Sequence, residues 1–278
     1  MTEYGVLLDT TSIQKYVFGS NRLTENLGAS CIIKDVYEDM VKNNPIIKIK
    51  PNIKDGTTEF KGYVGGGNAL FYFNSLDEAQ EFLKQWFLSL LVKAPGVQPA
   101  SSIGKIDDAT EKTDLIELFK HLNINKSKFI PQTIISRHGI TAECQSSGLS
   151  MDCWNSILDS NENDGKERSN YVSSVTKTKI QYSKKAKDKA ETLLKGHIKE
   201  YCFTDELDEL GQSKGSENYI AIVHIDGNDM GKRFRNCENI EETKLLSDSV
   251  KNATRKSFML LIEEIIFDHK KGKFESYL

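Results

Sequence analysis

Short β-branched runs alternate along most of this chain with segments whose apolar residues recur every three or four positions, and that alternation predicts strands and helices in turn. Tyr4-Gly-Val-Leu-Leu-Asp9 is an apolar run ending on a carboxylate and predicts a buried strand. Glu25 to Lys42 places Leu27, Cys31, Val36, Met40 and Val41 at helical spacing, and Pro45 and Pro51 bracket a candidate strand over Ile46–Ile49. Phe60–Val64 and Ala69–Phe73 are strand-like runs joined by Gly65-Gly-Gly-Asn68, residues that tolerate the positive φ of a tight hairpin. Ser75-Leu-Asp-Glu78 reads as a capping box opening a helix through Phe82, Trp86, Phe87 and Leu90. Pro95 closes that helix, Val97 to Ile106 reads as a further strand and Asp107 to Leu122 as another helix. The order β-α-β-β-α-β-α predicts an α/β (α+β) domain over residues 1–130.

Residues 131–215 are less regular and predict an intervening, mostly helical region. Asn161 to Arg168 is a polar loop, Lys177 to Leu194 a helix, Thr204 to Gly211 a short acidic turn or helix, and Gly211 to Asn218 a linker. A second apolar run, Tyr219-Ile-Ala-Ile-Val-His-Ile-Asp226, then ends on a carboxylate as the first does. Asn239, with Glu242 three places on, caps a long helix reaching about Phe267. Each Asp-ended strand is followed by a short polar turn and an aromatic residue, Phe18 or Phe234, which points to an internal duplication. The glycine turn at Gly65 follows Asp9 by an interval that, counted from Asp226, runs past Leu278, so residues 216–278 predict only the first part of the second copy.

Composition narrows the class. Hydrophobic residues make up 38% and charged residues 28% of the 278, ordinary for a globular chain, and the net charge of -3 offers no global attraction to nucleic acid. The five cysteines, Cys31, Cys144, Cys153, Cys202 and Cys237, are odd in number and scattered, which predicts reduced thiols and a cytoplasmic location. No apolar run approaches the length of a membrane span, so a membrane partner is not expected.

The candidate chemistry gathers at Asp226-Gly-Asn-Asp229, where a buried strand would deliver carboxylates to the open edge of a sheet, a place for a divalent metal to meet a phosphate. The plainer reading is a strand-to-helix cap, with Asp229 at the helix N-terminus. His224, mid-strand, reads as a packed core histidine. Seven lysines over Lys177–Lys195 read as a solvated helix face before an RNA-backbone contact. Cys144 and Cys153 are too few and too far apart for a tetrahedral zinc site.

Three segments carry a family resemblance: Ser12-Ile-Gln-Lys-Tyr-Val-Phe18 with its following Gly28-Ala-Ser30 triplet, the Gly65-Gly-Gly-Asn68 turn, and Ala221–Phe234 around Asp226-Gly-Asn-Asp229. In that order they resemble the large polymerase-like subunit of type III CRISPR effector complexes, which has two palm (nucleotide-cyclase-like) domains. The resemblance implies a ferredoxin-like palm over 1–130 and the N-terminal part of a second over 216–278. It implies Asp226 as the catalytic residue and a ligand of Mg2+ or Mn2+, with Asp229 as a second metal ligand. It further implies a non-catalytic nucleotide site at Asp9, Gly65, Gly66, Gly67 and Asn68, with a structural turn as the alternative. ATP or a related nucleotide would be the substrate, with effector subunits and RNA as candidate partners. The expected function is Mg2+-dependent synthesis of an oligonucleotide messenger in antiviral defence. The runner-up is a degenerate scaffold subunit, and a third reading is an unrelated metal-dependent phosphohydrolase. The chain departs from the family pattern in carrying Asn228 at the second acidic position, Asn68 in place of a hairpin acid, and no Gly-Gly-Asp-Asp hairpin.

Overall fold

In the computed structural model, which describes residues 2–128, 139–155, 170–194, 201 and 227–270, β1 (Thr2–Thr11) runs through the middle of a four-stranded antiparallel sheet. Its neighbours are β3 (Asn68–Phe73) and β4 (Gln98–Asp107), with β2 (Gly62–Gly65) outside β3, giving the order β2-β3-β1-β4. β1 is buried on both faces because its two residue sets meet different helices: Val6 and Leu8 face one way, while Gly5, Leu7 and Asp9 face the other. The helices are α1 (Ile13–Val17), α2 (Leu23–Asp35), α3 (Asp39–Asn43), α4 (Leu76–Lys93) and α5 (Glu111–Lys126). A short ladder of β5 (Cys153–Trp154) with β6 (Tyr171–Val172) precedes α6 (Ser174–Leu194), and α7 (Met230–Arg235) and α8 (Ile240–Lys270) follow. The chain forms two compact units, Met1–Asn21 with Glu25–Ala186, and Arg22–Thr24 with Lys187–Leu278.

On one face of the sheet α2 and α4 bury an aromatic core in which Phe71, Phe73, Phe82 and Trp86 are fully covered. Tyr37 stacks on Trp86 with ring centroids 5.7 Å apart, and the indole N–H donates to the Val36 carbonyl at 3.0 Å. Burying an aromatic side chain of this size contributes roughly 1.5–3 kcal/mol. The cap is as its sequence predicts, with the Ser75 hydroxyl accepting from the Glu78 N–H at 3.2 Å, while the Glu78 carboxylate reaches one residue further back and accepts from the Asn74 N–H.

Several expected elements shift. The helix expected over 25–42 is two, α2 and α3, because the chain turns at 36–38 to bring Tyr37 inward, where its hydroxyl meets that of Thr10 at 2.5 Å. Ile46–Ile49 is not a strand. The Gln85 side-chain oxygen accepts the N–H groups of Lys48 and Ile49 at 2.6 and 3.1 Å, so that backbone is satisfied without a ladder. The strand expected over Phe60–Val64 is Gly62–Gly65, and α5 begins at Glu111 because Asp107 still pairs with Thr2 at the end of β4. In the intervening region the described residues hold the β5–β6 ladder as well as α6. The strand expected over Tyr219–Asp226, and with it His224, lies outside the described residues.

The Gly28-Ala-Ser30 triplet has a packing role. A Cβ on Gly28 would overlap the backbone carbonyl of Lys179, so its hydrogen is what lets α2 and α6 touch backbone to backbone. Ala29 beside it is fully buried. Gly28→Ala is therefore expected to lower unfolding free energy by about 1–3 kcal/mol through overpacking, despite the better helix propensity of alanine. Urea denaturation measures it, and a variant at least as stable as the parent would contradict this packing.

Candidate functional site at the end of strand β1

Asp9 lies two residues before the end of β1, which runs on to Thr11, on the face that α5 covers. Gly5 and Gly104 pair directly across β1 and β4, and a Cβ on either would lie 3.3 or 3.0 Å from the Leu118 methyls. The missing side chains let α5 settle close to the sheet, and the Ser102 hydroxyl fixes it by donating to the Leu118 carbonyl at 2.9 Å. From Leu118 to Lys126 a helix advances about 12 Å, and from Gly5 to Asp9 a strand advances about 13 Å. The two chains therefore arrive together, and Lys126 Nζ lies 2.6 Å from the Asp9 carboxylate. The pair is partly open, with side-chain exposures of 35% for Lys126 and 20% for Asp9. Pairs this exposed contribute only ~0–1 kcal/mol, so the fold does not rest on it.

Asn68 stands opposite Asp9 in the ladder and so shares its face, and its side-chain amide makes no hydrogen bond among the described residues. Tyr63, on β2 and on the same face, is partly buried; burial, and after it the Asp9 charge, push its phenol well above the usual tyrosine range, so it stays protonated. Gly66 and Gly67 form the two-residue turn between β2 and β3, with φ of 61° and 90°. These are the positive angles that such hairpins require. The Gly67 carbonyl accepts the Thr10 N–H at 2.9 Å, which ties the turn to the end of β1, and the space around Gly66 is open. The structure thus brings Asp9 and Asn68 together and anchors the Gly65–Gly67 turn to the residue after Asp9. Lys126 and Tyr63 complete the group. Sequence reasoning passed over both, and the only signal for Lys126 was its place in the last turn of a helix.

The second candidate cannot be followed to its centre, because Asp226 lies outside the described residues. Asp229 is exposed at the N-cap of α7 in the left-handed conformation, φ 57°, and its side chain makes no cap hydrogen bond. The hydrogen-bonding cap role expected for Asp229 is thereby corrected, since its side chain makes no such bond to the first turn. Among the described residues no three histidine, cysteine or acidic side chains gather as a metal site.

The two Asp-ended segments nevertheless match in detail downstream. Ser12 and Asp229, each three residues past its aspartate, are the described non-glycine residues with positive φ, at 54° and 57°. Each carbonyl accepts the N–H four residues on, from Tyr16 and Arg233, both at 3.0 Å. A short helix starts four residues past each aspartate, at Ile13 and Met230, and a second helix fourteen residues past it, at Leu23 and Ile240. The third residue of each second helix is a glutamate, Glu25 and Glu242. No known family model matches the chain, and no curated protein does. The duplication stands on these internal offsets alone.

Cys144 and Cys153 are not neighbours in function. Cys144, 2% exposed, lies in a net of hydroxyls: its sulfur is 3.4 Å from the Ser146 oxygen and 3.5 Å from that of Thr176, which also contacts Ser173 at 3.1 Å and the Glu25 carboxylate at 3.5 Å. The Cys144-x2-Ser147 and Ser173-x2-Thr176 spacings converge here, but one thiol and three hydroxyls do not make a zinc site. Burial alone would push the Cys144 thiol up, and the hydroxyls of Ser146, Ser147 and Thr176 outweigh it and bring it to about 6. A depressed folded-state value stabilises the fold above the unfolded thiol range and loses that contribution as pH falls through about 6. The stability difference between the parent and Cys144→Ala should therefore grow from pH 5.5 to pH 8.5, a span of roughly three units around those values. Urea titrations at several pH values test it, and a difference independent of pH would contradict it.

Proposed function

We propose that this chain is a nucleotide-binding palm-domain protein of the prokaryotic antiviral, type III CRISPR-like kind. The observation that carries the reading is the repeated geometry after Asp9 and Asp226: the same left-handed residue, the same short helix and the same onset of the next helix. A β-α-β-β-α-β order with strands arranged β2-β3-β1-β4 further supports a ferredoxin-like palm over 1–130. In this reading the second copy is the metal side. Asp226 holds Mg2+ or Mn2+ at its strand end, and Asp229, whose carboxylate the α7 cap leaves unused, is the second ligand. Joined to an acidic hairpin, such a site activates a ribose hydroxyl and stabilises charge on a triphosphate, which is the chemistry of ATP-derived oligonucleotide messengers. The first copy, with Asp9 engaged by Lys126 and Asn68 opposite it, binds a nucleotide without reacting.

One observation favours a second reading, a non-catalytic scaffold in an RNA-guided assembly: the Asp9 carboxylate near the end of β1 is already neutralised by an ammonium. The two readings part on metal. Calorimetric titration with Mn2+ is expected to show Asp226→Asn binding at least about tenfold more weakly than the parent, with a smaller loss for Asp229→Asn, as removal of one carboxylate from a hard-cation site implies. Thin-layer chromatography of labelled ATP should show binding-competent protein but no oligonucleotide product from this chain. Equal Mn2+ affinity in the parent and Asp226→Asn would remove the metal reading and leave the scaffold.

A further inference from the structure

The Asp9–Lys126 pair has features that a plain surface ion pair lacks. Lys126 is the last residue of α5, and its position is set by the glycine seat two helical turns away and by the neighbouring Asn125 amide, which donates to the Ser101 carbonyl of β4 at 2.8 Å, as well as by the pair itself. Its ammonium has three donors, and Asp9 is its sole partner among the described residues, so two donors face outward. Around it stand the unengaged Asn68 amide, the protonated Tyr63 phenol and the turn containing Gly66, with open space around that glycine. These groups are neutral donors or a cation, and the one anion present, Asp9, is already matched.

We propose that the first site binds the phosphates of a nucleotide without a divalent metal, Lys126 supplying as a tethered ammonium the positive charge that a metal supplies at a strand-end carboxylate. Asp9 is then a positioning residue: it holds the ammonium at 2.6 Å and leaves its outward donors for the ligand. A divalent cation drawn to Asp9 would be repelled by the ammonium already held on one of its oxygens. Such a site needs no metal supply and is sensitive to ionic strength. The inference rests on reading the first copy as a nucleotide site and adds how that site is charged.

Isothermal titration of ATP into the full chain, in EDTA and separately in Mg2+, tests it. The parent is expected to bind one ATP in EDTA, and Lys126→Met to weaken that event by about 10–100-fold, the scale of one or two charge-assisted hydrogen bonds. Lys126→Arg should recover most of the affinity, and thermal melts of the three proteins should agree closely, since the pair contributes little to the fold. If ATP binds only with Mg2+ and Lys126→Met binds as well as the parent, the metal-free mechanism is overturned while the nucleotide site stands. If no ATP binds in either buffer, the first copy is not a nucleotide site, and the proposal falls with that reading.

Discussion

The close seating of α5 on the sheet is the constraint on which the candidate site depends. Gly5 and Gly104 meet across β1 and β4, and their bare backbone lets Leu118 descend between them. Side chains at these positions would crowd Leu118 on α5, and at Gly5 the Ile106 side chain as well, and so loosen the seat that sets the approach of α5 to the sheet. The site is thus assembled from the last part of a strand and a helix end, held together by the seat about 12 Å away and by the Asn125 amide on the Ser101 carbonyl. The opposite face obeys similar logic, since Gly28 lets α6 approach α2 closely enough for Lys179 to place its ammonium on the Tyr16 carbonyl at 2.6 Å. Small residues at helix contacts, and not the polar residues themselves, set the geometry of both polar clusters.

Backbone strain ties the two copies together. A non-glycine residue held at positive φ costs of order 1 kcal/mol or more, and such residues cluster at ligand-binding turns. Ser12 and Asp229 adopt that conformation at the same distance from their aspartates, although one is a serine and the other an acid. The strain therefore belongs to the turn and not to the side chain. What differs between the copies is charge: the first turn follows an aspartate matched by a lysine, while the second carries an additional exposed carboxylate. That asymmetry supports a division of labour between a metal-free phosphate site and a metal site.

Much of the first domain was legible in the sequence because its signals are local. The β1 run, the Gly65–Asn68 turn and the Ser75 cap each depend on residues within a few positions of one another, and each is present, although β1 extends to Thr11 past Asp9. The signals that failed depended on distant partners. Ile46–Ile49 has strand composition, yet Gln85, far along the chain, takes its N–H groups. The break between α2 and α3 answers to Thr10 and Trp86, which no helical periodicity can foresee. Lys126 and Tyr63 escaped notice for the same reason, since a lysine at a helix end and a tyrosine on a strand are unremarkable until the α5 seat and the β2–β3 pairing bring them to Asp9. The hydroxyl net around Cys144 gathers residues from three separate segments and carries no sequence signature beyond two x2 spacings.

The central proposal, that the segments around Asp9 and around Asp226–Asp229 form nucleotide sites, is tested most directly by photo-crosslinking with an azido-ATP analogue and mapping the labelled peptides by mass spectrometry. The account predicts labelling in the segment containing Gly65–Asn68 and in the segment containing Asp226–Asp229, with competition by unlabelled ATP at both. Labelling confined to other segments, or unaffected by excess ATP, would contradict it.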